Sequence, residues 1–368
     1  MGSVKDLIVI EPAYENRPGL GNFLFSDRYS VFDWGEMPDH LPGKGRSLAL
    51  MAAFNFELLE SRGIRTHYQG LVGRDGRLFR FSDLKEGEPG SQTMQVSLAR
   101  VYRPLAREFL APDGRPEVRY DYSFFSANRG RINNYLIGLE IIFRNGLPQG
   151  SSVFAKIEEA KRKDDPRESR RALGAILKGL GLKEEPLAGR MLPRPVMSYT
   201  TKLEVGDRSL GREEARRLSG LSGREFKKLE ALALRVDELV SEQAGKAGLA
   251  HYDGKIEMLY DRGLAVCDVT GTFDENRFSC GSAQIGKEVL RQWYKKTQPG
   301  WVAACEEWKR TGAGWQQRCQ EKPKKLPSEL AALATQLYTS GCNRYTGKRV
   351  FDAPELEVVL ERLQAFMG

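Results

Sequence analysis

Asp253, Lys255 and Glu257 recur at every second residue within HYDGKIEMLYDRGLAVCDVTGTFDENR, the stretch from His251 to Arg277. A strand sends residues i, i+2 and i+4 to one face, so these three charges share a side. Ile256, Met258 and Tyr260 share the other. Arg262-Gly263 supplies a turn, although Arg-Gly is a weaker turn pair than Asn-Gly. A two-residue loop there pairs Asp261 with Leu264 and sets Glu257 opposite Asp268. Facing carboxylates repel on a sheet. A hard divalent cation between them, completed by phosphate oxygens, makes the pair favourable, and this is the usual setting of Mg²⁺. The competing reading is a solvated face on which Lys255 neutralises both acids. A three-residue turn would slip the register and remove the facing pair.

Other candidates lie upstream. Arg144 ends the apolar run Tyr135 to Phe143, which has Glu140 inside it. A charge at the end of a buried-looking strand needs a partner. With Ser151 and Ser152 at an expected helix start, Arg144 makes a phosphate-type site; the alternative is a structural Arg–carboxylate pair. Ser26, Asp27, Arg28, Ser30 and Asp33 form a polar cluster, dense for a plain hairpin, interrupted by Tyr29, Val31 and Phe32. Lys44, in Pro-Gly-Lys-Gly, reads as a flexible cation, although a turn lysine is usually idle. Arg17, Gly19 and Gly21 belong to a glycine-containing turn whose backbone N–H groups could approach phosphates. Such turns are common. His67 and His251 read as structural.

The elements that must carry these residues follow from periodicity and breakers. Leu7 to Ile10 and Asn22 to Phe25 read as strands around a turn. Leu48 to Arg62 reads as an amphipathic helix stopped by Gly63. Lys156 to Arg194 is charged and expected to be partly loop, with a short helix near Arg171 to Gly179. Tyr199 to Leu203 reads as a strand. Gly211 to Leu218, Arg224 to Ala247, Gln284 to Lys296, Pro327 to Ser340 and Ala353 to Met367 read as helices, and Pro299 to Lys325 as irregular. Antiparallel hairpins with separate helices indicate an α+β class.

Composition bounds the rest. The chain has 368 residues with 40% hydrophobic content, enough for a sizeable core and two expected lobes. No apolar run approaches the roughly 18 residues of a membrane span, and MGSVKDLIVIEP does not read as a secretory signal. Five cysteines without C-x-x-C spacing are expected to be reduced thiols, which suits a cytoplasmic protein. The net charge of +8 favours anionic partners. It is spread along the chain, so a basic nucleic-acid-binding protein is the remote alternative to an enzyme.

Several segments, in order, resemble the SAICAR synthetase family of purine biosynthesis, and most closely its longer archaeal and bacterial branch. They are FSDRYSVFDWGEMPDHLPGKG (Phe25 to Gly45), LEIIFRNGLPQGSS (Leu139 to Ser152), SYTTKLEVGDRSL (Ser198 to Leu210), DGKIE with CDVTGTFDENRF, and GKEVLRQWYKKTQPGW (Gly286 to Trp301). The resemblance implies two α+β lobes related to the ATP-grasp arrangement, residues 1–131 on the nucleotide side and 132–368 with the metal and CAIR site. It implies a carbon–nitrogen ligase that joins the carboxylate of CAIR to the amine of L-aspartate with ATP and Mg²⁺, and no nucleic-acid or membrane partner. Glu257 and Asp268 would hold Mg²⁺. Lys202, Lys255 and Asp268 would be catalytic. Ser26, Asp27, Arg28, Ser30, Asp33, Arg144, Ser151, Ser152, Asp274 and Arg277 would bind substrate, and Arg17, Gly19, Gly21, Lys44, Glu140 and Lys202 the nucleotide, Glu140 through its backbone. Asp207 would sit near the aspartate or a second metal. Two departures stand out. ENRPGLGN replaces the Gly-Lys opening of many members, and Asp268-Val269 replaces an Asp-Glu pair. The rival substrate is another azole or C-nucleoside carboxylate in a pathway-specific paralogue. The longer stretches 156–190 and 301–327 are expected either to form a homo-oligomer contact or to reshape the substrate entrance.

Overall fold

The computed structural model describes residues 4–110, 116–204, 206–309 and 314–368. Strands β1 (Lys5–Glu11), β2 (Gly19–Phe25), β3 (Tyr68–Val72), β4 (Leu78–Phe79) and β5 (Thr93–Leu98) form an antiparallel sheet in the order β1-β2-β5-β3-β4. Helix α1 (Lys44–Ser61) packs on β2, β3 and β5. It begins a turn earlier than periodicity indicates. Gly43 at φ 86° turns the chain into it, and the Asp27 carboxylate accepts the Gly45 N–H at 3.0 Å. An acidic group at a helix start satisfies an orphan donor and complements the dipole.

A two-stranded ribbon, β6 (Leu105–Leu110) with β7 (Pro116–Asp121), and a short helix α2 (Ser123–Ala127) lead to the second sheet. Its strands are β8 (Tyr135–Leu136), β9 (Leu139–Leu147), β10 (Arg190–Thr201), β11 (Ser209–Leu210), β12 (Ala250–Tyr260), β13 (Leu264–Cys267), β14 (Asn276–Cys280) and β15 (Ala283–Ile285). They run β11-β10-β9-β12-β14-β15, and β8 and β13 both pair with the far end of β12. Helices α3 (Ser152–Lys161) and α4 (Pro166–Leu180) connect β9 to β10, and α5 (Arg212–Leu218) and α6 (Gly223–Lys246) precede β12. Helices α7 (Lys287–Thr297), α8 (Pro299–Trp308), α9 (Ser328–Thr346) and α10 (Leu356–Met367) follow the sheet. This is the mixed helix-and-sheet class expected.

Three local expectations are corrected. Residues 156–194 are mostly regular: Asp165 caps α4, Pro166 opens it, and Gly181 at φ 70° closes it. That helical hairpin has its own small apolar cluster, Leu147, Val153, Ile157 and Leu180. Residues 299–325 contain α8 and a 3₁₀ turn at Trp315–Arg318, while 310–313 lie outside the described residues. The β12–β13 loop has three residues, so Tyr260 pairs with Leu264 and Glu257 with Cys267. Arg262 takes up the extra position at φ 53°. Glu257 and Asp268 are therefore not ladder partners.

One hydrophobic cluster extends from Phe23 and Leu50 through Ile141 and Ile256 to Leu337 and Leu363, so both sheets share it. Helix α1 packs against α9 as well as its own sheet. Trp301 is fully buried between Phe32, Trp34 and Tyr294. Among the described residues no helix is long and apolar enough to cross a membrane.

Candidate active site

The two sheets meet at a cluster of buried charges. Strand β12 supplies Lys255 and Glu257 on one face, and β9 beside it supplies Glu140. Lys202 follows β10, Asp268 follows β13, Glu275 precedes β14, and Lys5 opens β1. Lys202 Nζ lies 2.6 Å from Glu257 Oε1 and 3.3 Å from Glu140 Oε1. Lys255 Nζ lies 2.8 Å from Glu140 Oε1 and 3.3 Å from Glu275 Oε2. Lys5 Nζ lies 2.7 Å from Asp268 Oδ1. The early slip in register is thus offset by the backbone. Asp268 is left-handed at φ 63°, which ends β13 and turns its carboxylate toward Lys5.

These groups set one another's charge. Burial, then the neighbouring Asp268 carboxylate, pushes Glu257 above the ordinary carboxylate range. Burial also pushes Asp268 upward, but Lys5 and Lys202 outweigh it and hold Asp268 low. Burial works against the ammonium forms of Lys202 and Lys255, yet the surrounding carboxylates raise both.

A slot of about 140 Å³ ends on Glu257 and Asp268, with Leu7, Phe23, Leu98, Val101, Leu136 and Leu259 among its walls. The chain segment that passes from β5 to the second sheet forms one side of it. Lys255 lines a separate cavity of about 430 Å³. Arg144, Ser152, Asp207, Asp274, Arg277, Lys287 and Arg291 line it. Arg277 is held by Asp253, with Nε to Oδ1 at 2.8 Å and a second bond from its terminal nitrogen. Arg144 has no such pair among the described residues. Its Nε is buried without a hydrogen-bond partner, and burial, with Arg277 nearby, lowers its pKa. An arginine in that state is poised for an anionic ligand. Lys287 is likewise lowered by burial, and Asp207 is raised by burial and then by Glu140.

Of the candidates from the sequence, the structure brings Arg144, Ser152, Asp274, Arg277 and Lys255 around one cavity, and Lys202 to Glu257 nearby. Ser151 caps α3 by accepting the Val153 N–H at 3.4 Å. Other candidates sit elsewhere, and neither cavity wall includes them. Ser26 donates to the Val4 carbonyl at 2.9 Å, and Arg28 reaches Asp6 at 2.8 Å and Ser26 at 3.0 Å. Ser30 accepts the Gly35 N–H at 3.3 Å, and Asp33 is exposed, 3.7 Å from Lys309. Arg17 is exposed and lies over the Tyr14 ring. Gly19 is needed for closure of the β1–β2 loop, since a Cβ there would lie 2.4 Å from the Glu11 carbonyl oxygen. A Cβ on Gly21 would press on Leu98 and Leu7.

Two expectations change. Lys44 is not a flexible turn cation: it is fully buried at the start of α1, 2.6 Å from Asp274 Oδ2. Glu140 is not a hinge whose side chain is idle. Its backbone sits inside the sheet opposite Thr200, and its carboxylate accepts from both Lys202 and Lys255. His67 and His251 are buried, and burial lowers each to about 4, as structural histidines should be. Sequence reasoning missed Lys5, Glu275, Lys287 and Arg291. Lys5 carries no local signal. Lys287 and Arg291 do, because i, i+4 cations lie on one side of a helix.

The sequence model of the SAICAR synthetase family matches residues 11–307. The chain belongs to that family. A protein of Archaeoglobus fulgidus provisionally named phosphoribosylaminoimidazole-succinocarboxamide synthase is 42% identical over 367 residues, 99% of each chain. The SAICAR synthase of Saccharomyces cerevisiae, solved in complex with SAICAR, has the same fold with a TM-score of 0.58. It is 18% identical and covers 95% of this chain and 94% of its own. A SAICAR synthetase solved in complex with ADP gives a TM-score of 0.51 at 21% identity, covering 88% of this chain and 99% of its own. Family membership thus rests on sequence, and the fold on both comparisons.

Proposed function

We propose that this SAICAR synthetase joins the CAIR carboxylate to the amine of L-aspartate, converting ATP to ADP and phosphate. One observation carries the arrangement: Lys255 and Glu257 stand on the same face of β12, Lys255 lining the cationic cavity and Glu257 the apolar slot. The slot suits a purine base, with its phosphates directed toward Glu257, Asp268, Lys5 and Lys202. This gives the chain a nucleotide cleft between its two sheets, in keeping with a relation to ATP-grasp enzymes. The cavity suits CAIR, with Arg144 and Arg277 facing its phosphate and Lys255 its carboxylate.

The chemistry requires activation, because hydroxide is a poor leaving group. The terminal phosphoryl group passes to a CAIR carboxylate oxygen, giving an acyl phosphate and ADP. The aspartate amine attacks the acyl carbon, the C–O bond to phosphate breaks, phosphate departs, and the nitrogen loses a proton to leave the amide. Positioning and charge neutralisation are the protein's share of such a transfer. Lys255 holds the carboxylate beside the phosphates, and Lys202 and Lys5 offset negative charge there.

Glu257 and Asp268 fit a divalent cation. They are hard oxygen donors forced together by the fold, and Glu257 is raised by that proximity. Among the described residues, no larger group of acidic, histidine or cysteine side chains is placed to hold a metal. The donors offered are therefore these two carboxylates. Bound there with nucleotide phosphates, Mg²⁺ would neutralise charge on the transferred group. The test is ADP release by purified protein with ATP, Mg²⁺, CAIR and L-aspartate, omitting each in turn. Dependence on all four, with a succinocarboxamide product by mass, is expected. Release that ignores CAIR, or a product without the succinyl unit, refutes the reading and points to another azole carboxylate or another amine.

A further inference from the structure

The family match ends at residue 307, yet helix α9, beyond it, forms part of the support behind the substrate cavity. Tyr338 of α9 is buried, and its hydroxyl donates to Asp274 Oδ1 at 2.7 Å. Lys44 of α1 donates to the other oxygen, Oδ2, at 2.6 Å. The same ammonium lies 5.1 Å from the centre of the Tyr338 ring. The helix also closes on the residue beside Asp274. A Cβ on Gly341 would lie 2.4 Å from Phe273 Cε2, so this close packing depends on the glycine. Tyr345 of the same helix donates to Asn55 at 2.8 Å, and Asn55 donates to the Gly271 carbonyl at 3.2 Å. The loop carrying Asp274 is therefore tied to α9 at more than one point.

An ionised carboxylate offers about four acceptor positions. Tyr338 and Lys44 take one on each oxygen, which fixes the plane of the group and leaves a lone pair on each oxygen for a donor in the cavity. Burial alone would push Asp274 toward its neutral form. Lys44, Lys287 and the Tyr338 hydrogen bond outweigh it and hold the group below the ordinary carboxylate range.

We propose that Tyr338 is a positioning residue for the ligase, aiming the Asp274 carboxylate at the ring amino group of the azole substrate and making α9 part of the active site. This rests on the CAIR reading given above. The substrate's amino group is a hydrogen-bond donor, and Asp274 is an acceptor on the cavity wall. Without the Tyr338 hydroxyl, one oxygen loses its anchor, and the carboxylate can turn within the cavity.

The experiment measures initial ADP release against CAIR concentration, at saturating ATP and aspartate. It compares the full chain with Tyr338→Phe and Ser340→Ala, each checked for its melting temperature. Tyr338→Phe keeps the ring and deletes one oxygen. Ser340 lies on the same helix, but its hydroxyl goes to the Pro354 carbonyl at 2.7 Å. In Tyr338→Phe, KM for CAIR should rise about tenfold with kcat nearly unchanged, the scale of a lost hydrogen bond to a charged group. Ser340→Ala should leave both unchanged. A wild-type KM for CAIR in Tyr338→Phe overturns the proposal. So does a shift shared by Ser340→Ala, or one that tracks a drop in melting temperature. A wild-type chain that releases no CAIR-dependent ADP refutes the functional reading itself, before any variant is compared, and this inference with it.

Discussion

At the scale of single residues, the charge cluster is a compromise between burial and pairing. Glu257 and Asp268 are close enough to raise Glu257, and each is held by a lysine. Asp268→Asn keeps the shape but removes one negative charge. Turnover is expected to fall by at least about 100-fold, the scale of losing one preorganised electrostatic contact. The circular dichroism spectrum should stay unchanged, and near-normal activity would remove Asp268 from the assigned role. A second pair, away from the cavity, makes a stability prediction. Burial lowers His251 to about 4 and raises Asp237 to about 6. Between pH 6.5 and 4 the unfolded chain takes up a histidine proton that the folded chain refuses, so stability is lost as pH falls. Over nearly the same range the folded chain takes up a proton on Asp237 that the unfolded chain binds more weakly, so stability is gained. The two nearly cancel. Asp237→Asn removes the compensation, and its urea-unfolding free energy should fall by roughly 2–3 kcal/mol more than wild type between pH 6.5 and 4. Parallel curves would contradict the assignment. Alternating charges were enough to single out Lys255 and Glu257, and a charge ending an apolar strand to single out Arg144, whereas Asp268 was reached through a register that the three-residue loop does not keep. Lys5 was not legible, because a lone lysine before a strand gains its meaning only when the chain returns Asp268 to it.

At the scale of elements, turn chemistry decided what pattern could not. The alternation of β12 was legible from Asp253 onward, but the loop length was not, since Arg-Gly suits two-residue and three-residue turns alike. The cost is visible at Arg262, held at φ 53° with its side chain mostly exposed. Asparagine tolerates that region better than arginine, so Arg262→Asn should raise unfolding stability by up to about 1 kcal/mol. A destabilised Arg262→Asn chain would mean that the arginine makes a contact worth more than the strain. The helices were found where caps are local, as in α6, where Ser222 and Glu225 cap reciprocally. The early start of α1 was missed because its cap, Asp27, is remote from it along the chain.

At the scale of the whole molecule, the proposed division near residue 131 separates two sheets that share a hydrophobic cluster. Trp301 lies where residues from both ends of the chain converge, packed on Phe32 and Trp34. Trp301→Ala should therefore cost about 3–5 kcal/mol and lower the whole unfolding transition without splitting it. Two separate transitions would show that the sheets unfold independently. The central claim is that activation of CAIR passes through an acyl phosphate. Its most direct test supplies CAIR labelled with ¹⁸O in the carboxylate, together with ATP, Mg²⁺ and L-aspartate, and reads the released phosphate by mass. One ¹⁸O transferred to phosphate for each succinocarboxamide formed is the predicted result. Unlabelled phosphate released alongside product would contradict it.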